Sequence, residues 1–103
     1  MIYKIIVEPE ALTDLLNIKT YITEQDSKNK ANNFISELKQ RIKSLETMPE
    51  RCRKSLYTKN ENTHDLIHKG YTIVYKIIEE TVYILTVFRQ SCYNLLNITK
   101  NLI

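Results

Sequence analysis

The spacing of hydrophobic positions along this chain changes twice. Ile2 to Glu8 is a short run rich in β-branched and aromatic residues, which predicts a strand, and Pro9 closes it while suiting the first turn of a helix. From there Leu12, Leu15, Leu16, Ile18 and Ile22 recur at helical spacing with Asp14, Lys19 and Glu24 between them, predicting a helix to about Glu24. Gln25-Asp26-Ser27 is the break. Asp26 or Ser27 can cap a second helix by accepting a hydrogen bond from a first-turn N–H.

That second helix has the clearest pattern: Ala31, Phe34, Ile35, Leu38, Ile42 and Leu45 line one face and polar residues the other. Glu37 and Arg41 sit at i, i+4 in the favourable order and read as helix support worth about 0.3 kcal/mol. Pro49 ends the helix, and the short break before it predicts an antiparallel helical hairpin.

Beyond Pro49 the pattern becomes that of strands. Cys52 to Tyr57 predicts a weak strand, Thr58 to Asn62 a polar loop, and His64 to His68 another strand. Gly70 supplies a turn, because it takes positive φ without steric cost. Tyr71 to Ile78 and Val82 to Phe88 are the strongest strands, joined at Glu79-Glu80. Glu-Glu is poor chemistry for a two-residue primed turn, which predicts a longer or bulged hairpin. Both strands are apolar on both faces, as expected of strands covered on both sides. The helical hairpin covers one face; for the other, the tail from Ser91 to Ile103 and a partner protein are the two candidates.

Composition narrows the classes. A chain of 103 residues with 43% hydrophobic residues and a formal charge of +3 makes one domain, spanning 1–103, and is not disordered. Gly70 is the only glycine, which excludes the glycine-rich phosphate cradles of Walker and Rossmann nucleotide sites. Cys52 and Cys92 lie far apart without CxxC spacing, so two reduced thiols in a cytoplasmic protein are expected. No signal-peptide pattern or membrane-spanning apolar run is visible.

The order strand, helix, helix, antiparallel strands resembles the RelE/ParE superfamily of toxins from type II toxin–antitoxin modules. The residues that carry the resemblance are Glu10-Ala11-x-x-Asp14-Leu15-x-x-Ile18 with Tyr21-Ile22, Ala31 and Phe34 through Leu45-x-x-x-Pro49, Gly70-Tyr71-x-Ile73-x-Tyr75, and Val82-x-Ile84-Leu85. The match covers about residues 2 to 93. It implies an α+β fold, with an N-terminal strand and helical hairpin on a mainly antiparallel sheet, and allows a C-terminal helix. It also implies a cognate antitoxin whose C-terminal segment wraps the toxin. Two targets follow from the superfamily: the first expectation is ribosome-bound mRNA, cleaved as by RelE-like members, and the alternative is DNA gyrase, inhibited by ParE-like members without a nuclease site.

RNA cleavage by 2′-hydroxyl attack needs a base, a cation for the phosphate and an acid for the leaving oxygen. RelE-like nucleases achieve it without a metal or other cofactor, often with an arginine directly after the Gly-Tyr pair. Here that position is Thr72, which cannot clamp a phosphate. Arg89 fits the basic residue that follows the last strand, and Tyr93 the aromatic beyond it. His64 or His68 could be the acid–base group, since histidine titrates near neutrality. On one strand these histidines share a face about 13 Å apart, too far to chelate one ion. The ordinary alternative for each is a surface histidine. Arg51, Arg53, Lys54, Lys69 and Lys76 form a candidate RNA-binding stripe in the β half, against the alternative of a solvated charged face. Tyr71 and Tyr75 read as packing residues, and Glu37 as a solvated charge.

Overall fold

The computed structural model describes residues 2–56 and 62–89. Strand β1 (Lys4–Val7) leads into helices α1 (Pro9–Gln25) and α2 (Lys28–Lys43). Two 3₁₀ turns, Ser44–Glu46 and Pro49–Arg51, then deliver the chain to β2 (Arg53–Lys54), β3 (Thr63–His68), β4 (Tyr71–Ile78) and β5 (Thr81–Arg89). The strands form one sheet in the order β1-β5-β4-β3-β2, with β1 parallel to β5 and every other neighbour antiparallel. This is the expected α+β arrangement of a helical hairpin on a mainly antiparallel sheet. The Ser91–Ile103 tail, and with it any C-terminal helix, lies outside the described residues.

Local chemistry explains most boundaries. Pro9 opens α1, Glu10 adds an acidic side chain to its first turn, and the helix closes with the Asp26 N–H donating to the Ile22 carbonyl. Of the two candidate caps for α2, Ser27 takes the role: its hydroxyl accepts from the Lys30 N–H at 3.1 Å. Asp26 instead pairs with Lys30 at 3.1 Å on the surface. The second helix stops at Lys43, short of the expected Leu45, and Leu45 enters the core from the 3₁₀ turn. Arg51 holds this ending: its guanidinium donates to the Ser44 and Thr47 carbonyls at 3.2 and 3.1 Å and to the Ser44 hydroxyl at 2.7 Å.

The weak strand expected from Cys52 to Tyr57 is reduced, among the described residues, to Arg53–Lys54. There the chain leaves the ladder, because the Asp65 carboxylate accepts the Leu56 N–H at 3.1 Å. Gly70 turns the chain as expected. Lys69 and Gly70 both have positive φ, 48° and 84°, so β3 and β4 join through a two-residue primed turn. The next hairpin meets the expectation only in part: it is not longer, and its irregularity lies away from the turn. Ile78 pairs with Thr81, leaving only Glu79 and Glu80 in the turn, and Glu79 takes the left-handed conformation at φ 53°. Burial of Val82 and Ile84 against β4 outweighs the about 1–2 kcal/mol of a left-handed non-glycine residue. The irregularity falls instead inside the ladder, as a register shift at Val74/Tyr75.

Register sorts the side chains into two faces. Leu66, Ile73, Tyr75, Val82, Ile84 and Val87 pack with Ala11, Leu15 and Ile18 of α1 and Ile35, Leu38 and Ile42 of α2. Thr72 and Val74 alternate to the opposite face and are also buried. Tyr75 is the largest wholly buried side chain, and its hydroxyl donates to the Pro49 carbonyl. Burial, with a hydrogen bond to Cys52, pushes its phenol well above the ordinary tyrosine range.

A polar clamp joins α1 to the sheet. Because β1 pairs only as far as Val7 with Ile84, the later part of β5 has no strand on that side among the described residues. Asp14 covers it: one carboxylate oxygen accepts from the Val87 N–H at 3.0 Å and the Thr86 hydroxyl at 2.6 Å. Asp14→Ala is expected to lower stability by about 2–3 kcal/mol in urea unfolding, since it strands both donors, while Asp14→Asn keeps an acceptor and loses less. Alkaline unfolding tests Tyr75. The stabilisation from its raised phenol is fully present below about pH 10, the unfolded value, and is lost as pH rises beyond it. Tyr75→Phe should cost about 1 kcal/mol at neutral pH and flatten that alkaline decline.

Candidate functional site

The turn between β3 and β4 brings three side chains into one row: His68 faces Tyr71 across the hairpin, and Tyr71 faces Arg89 on β5. They lie on the helix-covered side, so both helices reach them. From α2, the Phe34 ring stacks on His68 with centroids 5.9 Å apart and leans on Tyr71 at 5.1 Å. One turn along, Glu37 Oε1 meets His68 Nε2 at 3.0 Å and Lys69 Nζ at 2.8 Å. Glu37 thus bridges helix and hairpin, where a pair with Arg41 was expected. The Lys69 and then the His68 hydrogen bonds hold its carboxyl below the usual range.

From α1, Tyr21 completes the row. Arg89 Nη1 donates to the Tyr21 hydroxyl at 3.4 Å, and Asn17, Ile18, Tyr21, Tyr71 and Arg89 line a pocket of about 360 Å³. Burial raises the Tyr71 phenol, a shift that the Arg89 charge partly opposes, so the hydroxyl stays protonated at neutral pH.

The structure separates the two candidate histidines. His64 sits at the far end of β3, buried, with its ring stacked on Tyr75 at 5.6 Å and Nδ1 without a hydrogen-bond partner among the described residues. Beside it is a second cavity, of about 410 Å³, lined by Glu50, Lys54, Asn62, His64 and Ile77. Neither histidine is a free surface group. Tyr93 lies outside the described residues.

The basic positions divide among several places. Arg51 holds the end of α2, and Lys69 is bound to Glu37. Arg53 pairs with the buried Asp65 carboxylate at 3.5 Å, and Lys76 lies over the Tyr83 ring at 5.8 Å. Lys54 lines the His64 cavity. Register puts Arg53 and Lys76 on the face opposite the helices, but Lys54 and Arg89 on the helix side. Thr72, after the Gly-Tyr pair, is wholly buried and its hydroxyl has no hydrogen-bond partner among the described residues. Among the described residues no cluster of three His, Cys, Asp or Glu could hold a metal, and no helix is long and apolar enough to cross a membrane.

Sequence reasoning missed Tyr21 and Glu37 as site residues. Spacing reveals that Tyr21 lies off the core stripe of α1 and Glu37 off that of α2, but not what faces them.

Residues 5–91 match the family model for the ParE toxin of the type II toxin–antitoxin system, parDE, and the chain belongs to that family. No curated protein matches the chain. Solved structures share its fold. The chromosomal ParDE system from P. aeruginosa superposes with a TM-score of 0.74 at 13% identity, covering 85% of this chain and 96% of that one. The RelBE2 toxin–antitoxin complex from Mycobacterium tuberculosis gives 0.63 at 22% identity, covering 86% and 92%. A mutant of the E. coli toxin RelE in the free state gives 0.61 at 16% identity, covering 94% and 93%.

Lys69→Ala should let the Glu37 carboxyl titrate closer to the ordinary glutamate range, as followed by carboxyl-carbon NMR. An unchanged titration would show that Lys69 is not its main partner.

Proposed function

We propose that this toxin arrests growth by binding DNA gyrase rather than by cutting mRNA, and that a cognate antitoxin neutralises it in the cytoplasm. The observation that carries the reading is Thr72. Where RelE-like nucleases present an arginine, this chain has a neutral side chain with no exposed surface, so no cation can meet a phosphate there. The acid–base candidates add to this. Metal-free cleavage needs base, acid and cation within hydrogen-bond reach of one phosphodiester. His64 and His68 instead stand at opposite ends of β3 on the helix-covered face, one stacked on Tyr75 and the other bound to Glu37. A family of antitoxin-neutralised toxins and a likeness to ParDE and RelBE2 complexes support the antitoxin partner.

One observation favours the RelE-like alternative. His68, Tyr71 and Arg89 share a row, and Arg89 could meet a phosphate with His68 as proton donor.

Two assays on the purified chain separate these readings. Gyrase supercoiling should be inhibited at toxin concentrations that leave ribosome-bound mRNA intact. Cleaved mRNA together with unaffected supercoiling would overturn the gyrase reading.

A further inference from the structure

We propose that the groove where β1 meets α1 and α2 binds a single-chain aliphatic acid, its hydrocarbon along the groove and its carboxylate among the lysines there. The first ground is the wall. Strand β1 ends the sheet, and a cavity of about 600 Å³ lies between it and the two helices. Ile5 and Val7 come from β1, Leu12 and Leu15 from α1 and Ile42 from α2, so the apolar lining is mostly aliphatic. Leu12 is 51% exposed, which leaves part of that lining open to a ligand instead of consumed by the core. The volume falls within the range of small-molecule sites, about 300–1,000 Å³.

The second ground is charge. Lys4, Lys39 and Lys43 line the same cavity, against the single carboxylate of Glu46. None of these three lysines has an ion pair among the described residues, whereas Lys30 and Lys69 both do. Lys39 and Lys43 stand one turn apart near the end of α2, where like charges repel and an anion relieves them.

Together the two grounds select the ligand. An aliphatic cleft with a surplus of ammonium groups fits a molecule that carries one negative head on an apolar chain. A nucleotide would find a single aromatic ring to stack on, that of Tyr3, and otherwise a hydrocarbon wall. This inference stands apart from the toxin's target: failure of the gyrase assay would leave it standing, and its own failure would leave the gyrase reading untouched.

The test is a titration of the full chain with octanoate, decanoate and dodecanoate below micelle formation, followed by methyl NMR of Ile5, Val7, Leu12 and Ile42. These methyls should shift saturably, with Kd in about the millimolar range for decanoate. Each added CH₂ should tighten binding by about two- to fourfold. Decyltrimethylammonium, with the same chain and the opposite charge, should bind about tenfold more weakly than decanoate. Replacing both Lys39→Gln and Lys43→Gln should bring the two ligands level, because it leaves one cation against Glu46. Leu12→Gln should weaken both and keep the preference for the acid. No saturable shift, no dependence on chain length, or equal affinity of the unaltered chain for anion and cation would overturn the proposal. So would a dimer that decanoate leaves intact, which would assign the groove to a second copy of the chain. Sedimentation with phosphatidylglycerol vesicles without any decanoate binding would overturn it in favour of a lipid surface.

Discussion

The pairing of β4 with β5 beneath the helical hairpin is the constraint on which the rest of the structure depends. Ile73 opposes Val87 and Ile77 opposes Val82, while Tyr75 meets Ile84 just past the register shift. A slip of one residue would turn every one of these side chains to the other face. Their burial against α1 and α2 therefore sets the register, and the register sets everything that alternates with it. Thr72 and Lys76 go to one side; Tyr71, Tyr75 and Arg89 go to the other. Even the Glu79-Glu80 turn yields to this pairing, accepting a left-handed glutamate so that Ile78 can meet Thr81.

Polar contacts then anchor the helices on that sheet. Asp14 closes the edge that β1 leaves open on β5, and Glu37 bridges α2 to the β3–β4 turn. The two acids sit at different points around the same helix–sheet interface and solve different problems. Asp14 supplies an acceptor to a backbone N–H that has no strand partner. Glu37 gathers Lys69 and His68 beside Tyr71. Arg89 is left facing the Tyr21 hydroxyl at the end of β5.

Much of the fold was legible in the residues. Helical spacing from Leu12 to Ile22 and from Ala31 to Leu45 marked both helices, Pro9 and the Asp26-Ser27 break marked their starts, and Gly70 marked a turn. The misreadings fall where a distant contact overrides local propensity. Leu45 reads as a helical residue by spacing, yet it enters the core from a 3₁₀ turn beside the contacts of Arg51. Cys52 to Lys54 reads as the start of a longer strand, yet Asp65 draws the Leu56 N–H out of the ladder. The site was less legible than the fold. Arg89 and His68 were candidates by residue type, while Tyr21 and Glu37 stood out only once α1 and α2 were laid across the sheet.

By itself the sequence determined the main elements, their order and the faces of the helices and long strands, because periodicity and turn chemistry act over a few residues; the toxin superfamily entered as a resemblance. Only the tertiary structure decided which charges are used and which are free. Charge pairing depends on distance in space: Glu37 lies one turn from Arg41 along the helix but binds His68 and Lys69, more than thirty positions away. The same holds for the two histidines. Both were acid–base candidates by residue type, and packing buries one against Tyr75 and binds the other to a carboxylate.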